Sequence, residues 1–283
     1  MKNAVVTGVS TGIGAGITKV LIDAGWCVFG SVRKEADARA AVERYGSSFV
    51  PLVFDVVDEA GVIAAAATVK SKLCGRVLDG LVNNAGVALS DPMLVQSTED
   101  FRKQIEVNLV GPFIVTKAFA PLLGAREGAG PAKGRIVNMS SVGGQICPPF
   151  LGAYAAAKHG LEGMSGSLRR ELQIFGVDVI LVGPGSVATP IWDKAQETPG
   201  DHLAGTVWSA PFRKFTDYMV AEGRKGYKPE VIGKVVLEAL TTAKPKARYA
   251  PVPGKFANWT MPTILPARVV DRLIGKQVGL LPK

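Results

Sequence analysis

Short runs of β-branched and apolar residues alternate with longer helical patterns through the first two-thirds of the chain, and few architectures accept that order. Residues 4–6 read as a strand, and 13–24 as a helix closed by Gly25. Strands at 27–32, 49–54, 78–82, 135–139 and 177–182 follow, with helices at 35–45, 58–72, 98–123 and 153–174 between them. Pro51 cannot donate to a ladder, so the third strand is expected at a sheet edge. In the last of these helices Leu161, Met164, Leu168 and Leu172 step by 3, 4 and 4, which makes one apolar stripe. Repeated β-α order implies an α/β fold, a doubly wound parallel sheet with helices on both faces. After Pro184-Gly185 the pattern weakens. Residues 186–228, rich in Pro, Gly, Trp and Phe, read as a substrate-binding insertion. A helix at 229–242, a short strand at 248–250 and a basic extension at 254–283 complete the chain. With no repeat and no Ser/Gly linker, 283 residues are more simply one domain, 1–283, than two.

Charge is distributed unevenly. Residues 1–223 carry 21 basic and 21 acidic groups, and residues 224–283 carry 12 and 3, so the whole +9 excess lies in the last 60 residues. Attraction to an anionic surface is one reading and a solvated basic face is the other. No nucleic-acid motif accompanies the charge, so nucleic acid is not expected as a partner. No uninterrupted apolar run reaches the roughly 18 residues of a membrane span. The N-terminal apolar run is too short for a signal segment. Three scattered cysteines, Cys27, Cys74 and Cys147, suit a reducing cytoplasm better than a disulfide framework. With only His159 and His202 available, no compact metal cluster is expected.

Two stretches carry chemistry. The first strand runs into Thr7-Gly8-Val9-Ser10-Thr11-Gly12-Ile13-Gly14. Glycines between a strand and a helix let the backbone approach a pyrophosphate, which the helix N-terminus favours. Gly8-Val9-Ser10-Thr11-Gly12 also fits the G-x-S-x-G nucleophile elbow, but that device needs an oxyanion loop from an earlier strand, and nothing precedes residue 4. The second stretch is Tyr154-Ala155-Ala156-Ala157-Lys158, whose tyrosine and lysine share one helix face at i and i+4. A phenol titrates near pH 10, and a neighbouring ammonium lowers that value toward the range useful for acid–base catalysis.

With these residues the chain resembles the short-chain dehydrogenase/reductase family. The glycine turn looks like its T-G-x-x-x-G-x-G motif, and Asn83-Asn84-Ala85-Gly86 like its N-N-A-G. Asn108 falls where the family keeps an active-site asparagine. Ser141 lies 13 residues before Tyr154, the family's usual spacing, and Pro184 to Thr189 looks like P-G-x-x-x-T. Six motifs in register cover roughly residues 1–190. The resemblance implies a Rossmann-like fold and a dehydrogenase or carbonyl reductase. Tyr154 is then the general acid/base. Lys158, together with the positive charge of an oxidised nicotinamide, tunes it. Lys158 also meets the nicotinamide ribose, Ser141 holds the reacting oxygen, and Asn108 holds a water linking Lys158 to solvent. Ser140 is the rival of Ser141, and strand alternation puts the two on opposite sides. The implied cofactor contacts are Gly8, Ser10, Thr11, Gly12, Ile13 and Gly14, then Asp55 and Val56, then Asn83, Ala85 and Gly86. Tyr154, Lys158, Pro184, Gly185, Val187 and Thr189 complete them.

The second strand ends Ser31-Val32-Arg33-Lys34, without the acid that usually takes ribose hydroxyls. Arg33 can fork onto a 2′-phosphate, so NADP(H) is expected in preference to NAD(H). Ile191, Trp192, Leu203, Val207, Trp208, Phe212, Phe215, Tyr218 and Met219, with Cys147, Pro148, Pro149 and Phe150, either wall an apolar pocket or form the core of a small lobe. The first reading points to a bulky lipophilic ketone or alcohol, steroid- or retinoid-like by family analogy. A nucleotide-binding regulator without turnover and a sugar-nucleotide epimerase are the rivals. The helices at 98–123 and 153–174 are expected to pair in a homodimer or homotetramer, with Gly160, Gly163 and Gly166 allowing close approach. In the tail, Arg268, Arg272 and Lys276 share a helical face, which suits either a peripheral contact with anionic membranes or a solvated lid.

Overall fold

Seven parallel strands form one sheet in the order β3-β2-β1-β4-β5-β6-β7, in a computed structural model that describes residues 1–196 and 200–282. The strands are β1 (Asn3–Val6), β2 (Cys27–Val32), β3 (Phe49–Val53), β4 (Gly80–Asn83), β5 (Arg135–Met139), β6 (Asp178–Val182) and β7 (Arg248–Tyr249). The helices are α1 (Gly12–Asp23), α2 (Glu35–Tyr45), α3 (Glu59–Leu73), α4 (Thr98–Ile105), α5 (Gly111–Phe119), α6 (Gly152–Glu171), α7 (Ile191–Gln196), α8 (Ser209–Arg224), α9 (Pro229–Thr241), α10 (Met261–Ile264) and α11 (Ala267–Val278). Strand β3 is an edge, as Pro51 requires.

Side chains alternate across the sheet and bury both faces. Ala4 and Val6 join Ile17, Leu21, Ile232 and Val236 on the side of α1 and α9. Val5 joins Val69, Val115, Phe119 and Leu123 on the side of α3 and α5. Fully buried side chains of this size each contribute about 1.5–3 kcal/mol, so these two layers fix the strand ends that carry the site.

The expected helix at 98–123 is interrupted. Ser97 caps α4 by accepting from the Asp100 N–H at 3.0 Å, and a π-helical turn, Glu106–Val110, separates α4 from α5. Pro112 explains the break, because it lacks the N–H that would bond the Asn108 carbonyl. A second π turn, Phe256–Thr260, stands four residues before Pro262 at Asn258 in the same way. The Thr98–Leu123 stretch is long and apolar enough to cross a membrane by length and composition. It packs against α3 and α6 and buries Gln104, Asn108 and Thr116, with 33% of its apolar window enclosed.

Residues 200–224 and the tail form a lobe with its own core. Phe150, Leu203, Phe212, Phe215 and Val278 are buried together, and Phe150 meets Phe212 and Phe215 at ring separations of 5.4 and 5.3 Å. For these aromatics the lobe-core alternative is the one observed.

Candidate active site

The C-terminal ends of β1 and β4 lie side by side at the centre of the sheet, where the strand order reverses and α/β folds hold ligands. The glycine turn leaves β1 here. Gly8 and Gly12 take φ of +71° and +60°, which favours glycine. Thr7 ties the two strand ends together, its hydroxyl accepting from the N–H groups of Asn84 at 2.9 Å and Ala85 at 3.0 Å. The Asn84 side chain donates to the carbonyls of Thr7 and Gly8 at 2.8 and 3.1 Å. A methyl group on Gly14 would collide with the Gly8 carbonyl, and one on Gly12 would touch Thr189 at 3.5 Å. Gly8, Ser10, Thr11, Gly12, Gly14, Ala85 and Thr189 therefore surround one cradle. Thr11 stands at the N-cap of α1 without a side-chain cap, and the first turn of α1 holds no acidic residue. Those unused N–H groups and that dipole fit a pyrophosphate.

Other expected cofactor residues sit differently. Arg33 is exposed just beyond β2, and no ion pair holds it among the described residues. Asp55 is half-buried past β3. Ile13 packs partly into the α1-side core, and Val56 is buried against Gly111. Gly86 lies against the Asn108 side chain. Pro184 and Gly185 anchor their loop, Pro184 accepting from the Val142 N–H at 3.0 Å and Gly185 donating to Pro251 at 3.1 Å. Val187 is buried and gives its carbonyl to the Trp192 indole at 2.6 Å. The Asn83 side chain turns into the interior and donates to Thr116 and Asn138 at 2.9 and 2.8 Å.

Ser141, Tyr154 and Lys158 converge beyond β5. Ser140 and Ser141 point to opposite sides, Ser140 donating to Glu162 at 2.6 Å while Ser141 accepts from the Gly143 N–H at 3.1 Å and hydrogen-bonds with Tyr154. Lys158 is 5% exposed, and its ammonium lies 5.7 Å from the Tyr154 ring centre. Burial lowers the Lys158 pKa to about 8. Burial raises that of Tyr154, and hydrogen bonding with Ser141 offsets only part of the rise. The Lys158 ammonium donates to the Met139 carbonyl at 2.8 Å. Asn108 is fully buried, and its side chain both donates to the Val87 carbonyl at 2.8 Å and accepts from the Val87 N–H at 3.0 Å. Its amide thus braces the loop after β4.

A family model described as short chain dehydrogenase matches residues 2–200. The chain belongs to the short-chain dehydrogenase family. A relative from Ornithobacterium rhinotracheale, NADPH-dependent 3-dehydrocapnine reductase, is 38% identical over 99% of both chains. Retinol dehydrogenase 5 of Mus musculus is 31% identical over 95% of this chain and 86% of its own. A crystal structure of a short-chain dehydrogenase from Streptomyces avermitilis superposes with a TM-score of 0.78 at 26% identity, covering 99% of this chain and 97% of that one. This short-chain dehydrogenase is thus an NAD(P)-dependent oxidoreductase of the CH–OH type with a Rossmann-like sheet. Motif reading missed the parts played by Thr7, Asn84, Glu162 and Arg248. Thr7 and Asn84 stood inside the T-G-x-x-x-G-x-G and N-N-A-G motifs, which were the available signals. Glu162 and Arg248 are 86 residues apart and carried none.

Proposed function

We propose that this short-chain dehydrogenase interconverts a ketone and a secondary alcohol on a bulky lipophilic molecule, with NADP(H) in preference to NAD(H). The observation that carries the substrate class is the place of Tyr154. It packs against the apolar lobe with Trp208 and Met219, so the proton donor backs onto hydrocarbon. A steroid- or retinoid-like skeleton has support in the retinol dehydrogenase relative. The nicotinamide, when bound, supplies or accepts the hydride. Ser141 holds the substrate oxygen, and Tyr154 gives that oxygen its proton in reduction and takes it back in oxidation. Lys158 steadies the phenolate left behind. Asn108 lies in a turn packed against α6, the helix of Lys158. With its side chain spent on Val87, its main-chain carbonyl, which Pro112 leaves without a helical N–H, is the group that holds a water linking Lys158 to solvent.

Arg33 supports the NADP(H) preference, as does the NADPH-dependent relative. A phosphate–guanidinium bond is worth about 1.5–3 kcal/mol, or roughly tenfold and more. A panel of ketones and alcohols followed by absorbance with NADPH and with NADH tests both statements. Turnover confined to small polar carbonyls, or equal use of the two cofactors, would refute the corresponding half. Three free cysteines support a cytoplasmic location, and fractionation reads it directly. The proposed assembly is a homo-oligomer paired through the face of α4, α5 and α6. Phe113 stays 53% exposed there, and Gly163 has open space around it. Gly160 serves within the chain, packed on Leu109.

A further inference from the structure

The outermost strand reaches the catalytic serine through one arginine. Arg248 opens β7, and its Nη2 donates to Glu162 Oε1 at 2.9 Å and to the main-chain carbonyl of Ser141 at 3.3 Å. Its Nε donates to both Glu162 oxygens at 3.3 Å. The same carboxylate accepts from the Ser140 hydroxyl at 2.6 Å and from the Gln145 amide at 2.9 Å. Glu162 lies on α6, two turns beyond Tyr154. It therefore gathers donors from the loop that carries Ser141 and from β7. The Trp259 ring covers the guanidinium, 4.3 Å from its centre. The Arg248 and Glu162 side chains are only 18% and 13% exposed. Two glycines make room for them. A methyl group on Gly183 would collide with Arg248, and one on Gly144 with Glu162 and Ser140.

A buried ion pair is a poor device for stability alone, since apolar residues of similar volume often serve as well or better. What a guanidinium adds is a planar fork that fixes the direction of several acceptors at once. Here those acceptors are the carboxylate that anchors Ser140 and the carbonyl of Ser141 itself. We propose that Arg248 and Glu162 are positioning residues that set the Ser141 hydroxyl against the substrate oxygen, and that the C-terminal extension holds Arg248 in place through Trp259. The proposal rests on the assignment of Ser141 and Tyr154 to the reacting oxygen.

The test compares Arg248→Met, Arg248→Lys, the double variant Arg248→Met/Glu162→Gln and Trp259→Ala. Each is measured for kcat on the best ketone, KM for NADPH, NADPH binding by fluorescence, and Tm. A displacement of about 1 Å costs roughly 10²-fold in rate, so Arg248→Met should lower kcat by about tenfold to a hundredfold. NADPH affinity should stay at the wild-type value. Arg248→Lys keeps a charge for Glu162 without the fork and should recover part of kcat. Trp259→Ala should give a smaller loss of the same kind. The double variant decides the matter, including the case in which Arg248→Met is too unstable to assay. It removes the uncompensated carboxylate and should regain Tm, yet Ser141 still lacks its donor, so kcat should stay low. If kcat returns along with Tm, the pair acts through stability alone and the proposal fails. Full kcat in Arg248→Met sinks it equally. Tyr154→Phe in the same assay separates the levels. If that variant keeps turnover, the site assignment falls and the positioning proposal with it. If it is inactive while Arg248→Met is not, only the positioning proposal falls.

Discussion

The tyrosine and the lysine are neighbours on one face of α6, Tyr154 half-buried and Lys158 buried, and desolvation acts on them in opposite senses. Tyr154 is held above its ordinary value, so the phenol is protonated at neutral pH, the form needed to donate to a ketone. Reduction should hold through neutral pH and decline only on the alkaline side, whereas alcohol oxidation should rise with pH. Tyr154→Phe should cost about 10²–10⁴ in both directions and leave NADPH binding intact. Wild-type turnover in that variant would remove the tyrosine from the mechanism. Lys158 is shifted from 10.5 to about 8 by burial. Its folded pKa is depressed, so the unfolded chain binds the proton more tightly. The penalty on the native state is complete below about pH 8 and is relieved as pH rises toward 10.5. That shift corresponds to about 3 kcal/mol, against about 1.5–3 kcal/mol for the lost charge-assisted bond to the Met139 carbonyl. Lys158→Met should therefore melt close to wild type while losing most of its activity, and a fall of several degrees by scanning fluorimetry would contradict the balance. The positions of Ser141, Tyr154 and Lys158 were legible because their spacing is local. The burial of the phenol was not, because it depends on how the distant lobe packs over Tyr154.

At the level of elements, the strands and most helices could be read from periodicity, since each buries one set of alternating or 3.6-spaced residues. Pro51 marked its edge for a reason visible in one residue. The break at Glu106–Val110 was equally readable in Pro112, but the apolar pattern runs through it and hid the missing N–H. The lobe was less legible, because its core joins Phe150 to helices 50 and more residues onward and to the tail. Val278 of α11 is 3% exposed within that core, alongside Ile274, so the tail is docked at its end. Val278→Asp places a carboxylate among aromatic rings, which costs several kcal/mol unless the helix leaves. Hydrogen exchange should then rise in 267–282 while the sheet stays protected. Unchanged protection in α11 would show that the docking contributes little.

On the molecular scale the tail has two unlike sides. One side of α11 is packed on the lobe, and the other leaves Val269 and Leu273 at 43% and 57% exposure beside Arg268, Arg272 and Lys276. We propose that this exposed side makes the peripheral contact with anionic membranes. Each cation near an anionic bilayer is worth about 1 kcal/mol, and the excess of +9 lies in the last 60 residues. Co-sedimentation with anionic vesicles at low salt should exceed that with neutral ones and vanish in high salt, and equal recovery from both would leave only the lid. The homo-oligomer should give at least twice the 29.7 kDa chain mass by light scattering at micromolar concentration, and a monomeric mass would end that proposal. How copies can meet is already limited by the two borders of the sheet. One ends in a strand interrupted by Pro51, and the other in β7, which is two residues long. Neither offers the long flat row of free N–H and C=O groups on which foreign chains stack. Strand-by-strand growth into fibres is blocked at both margins, and self-association is left to the helical flanks.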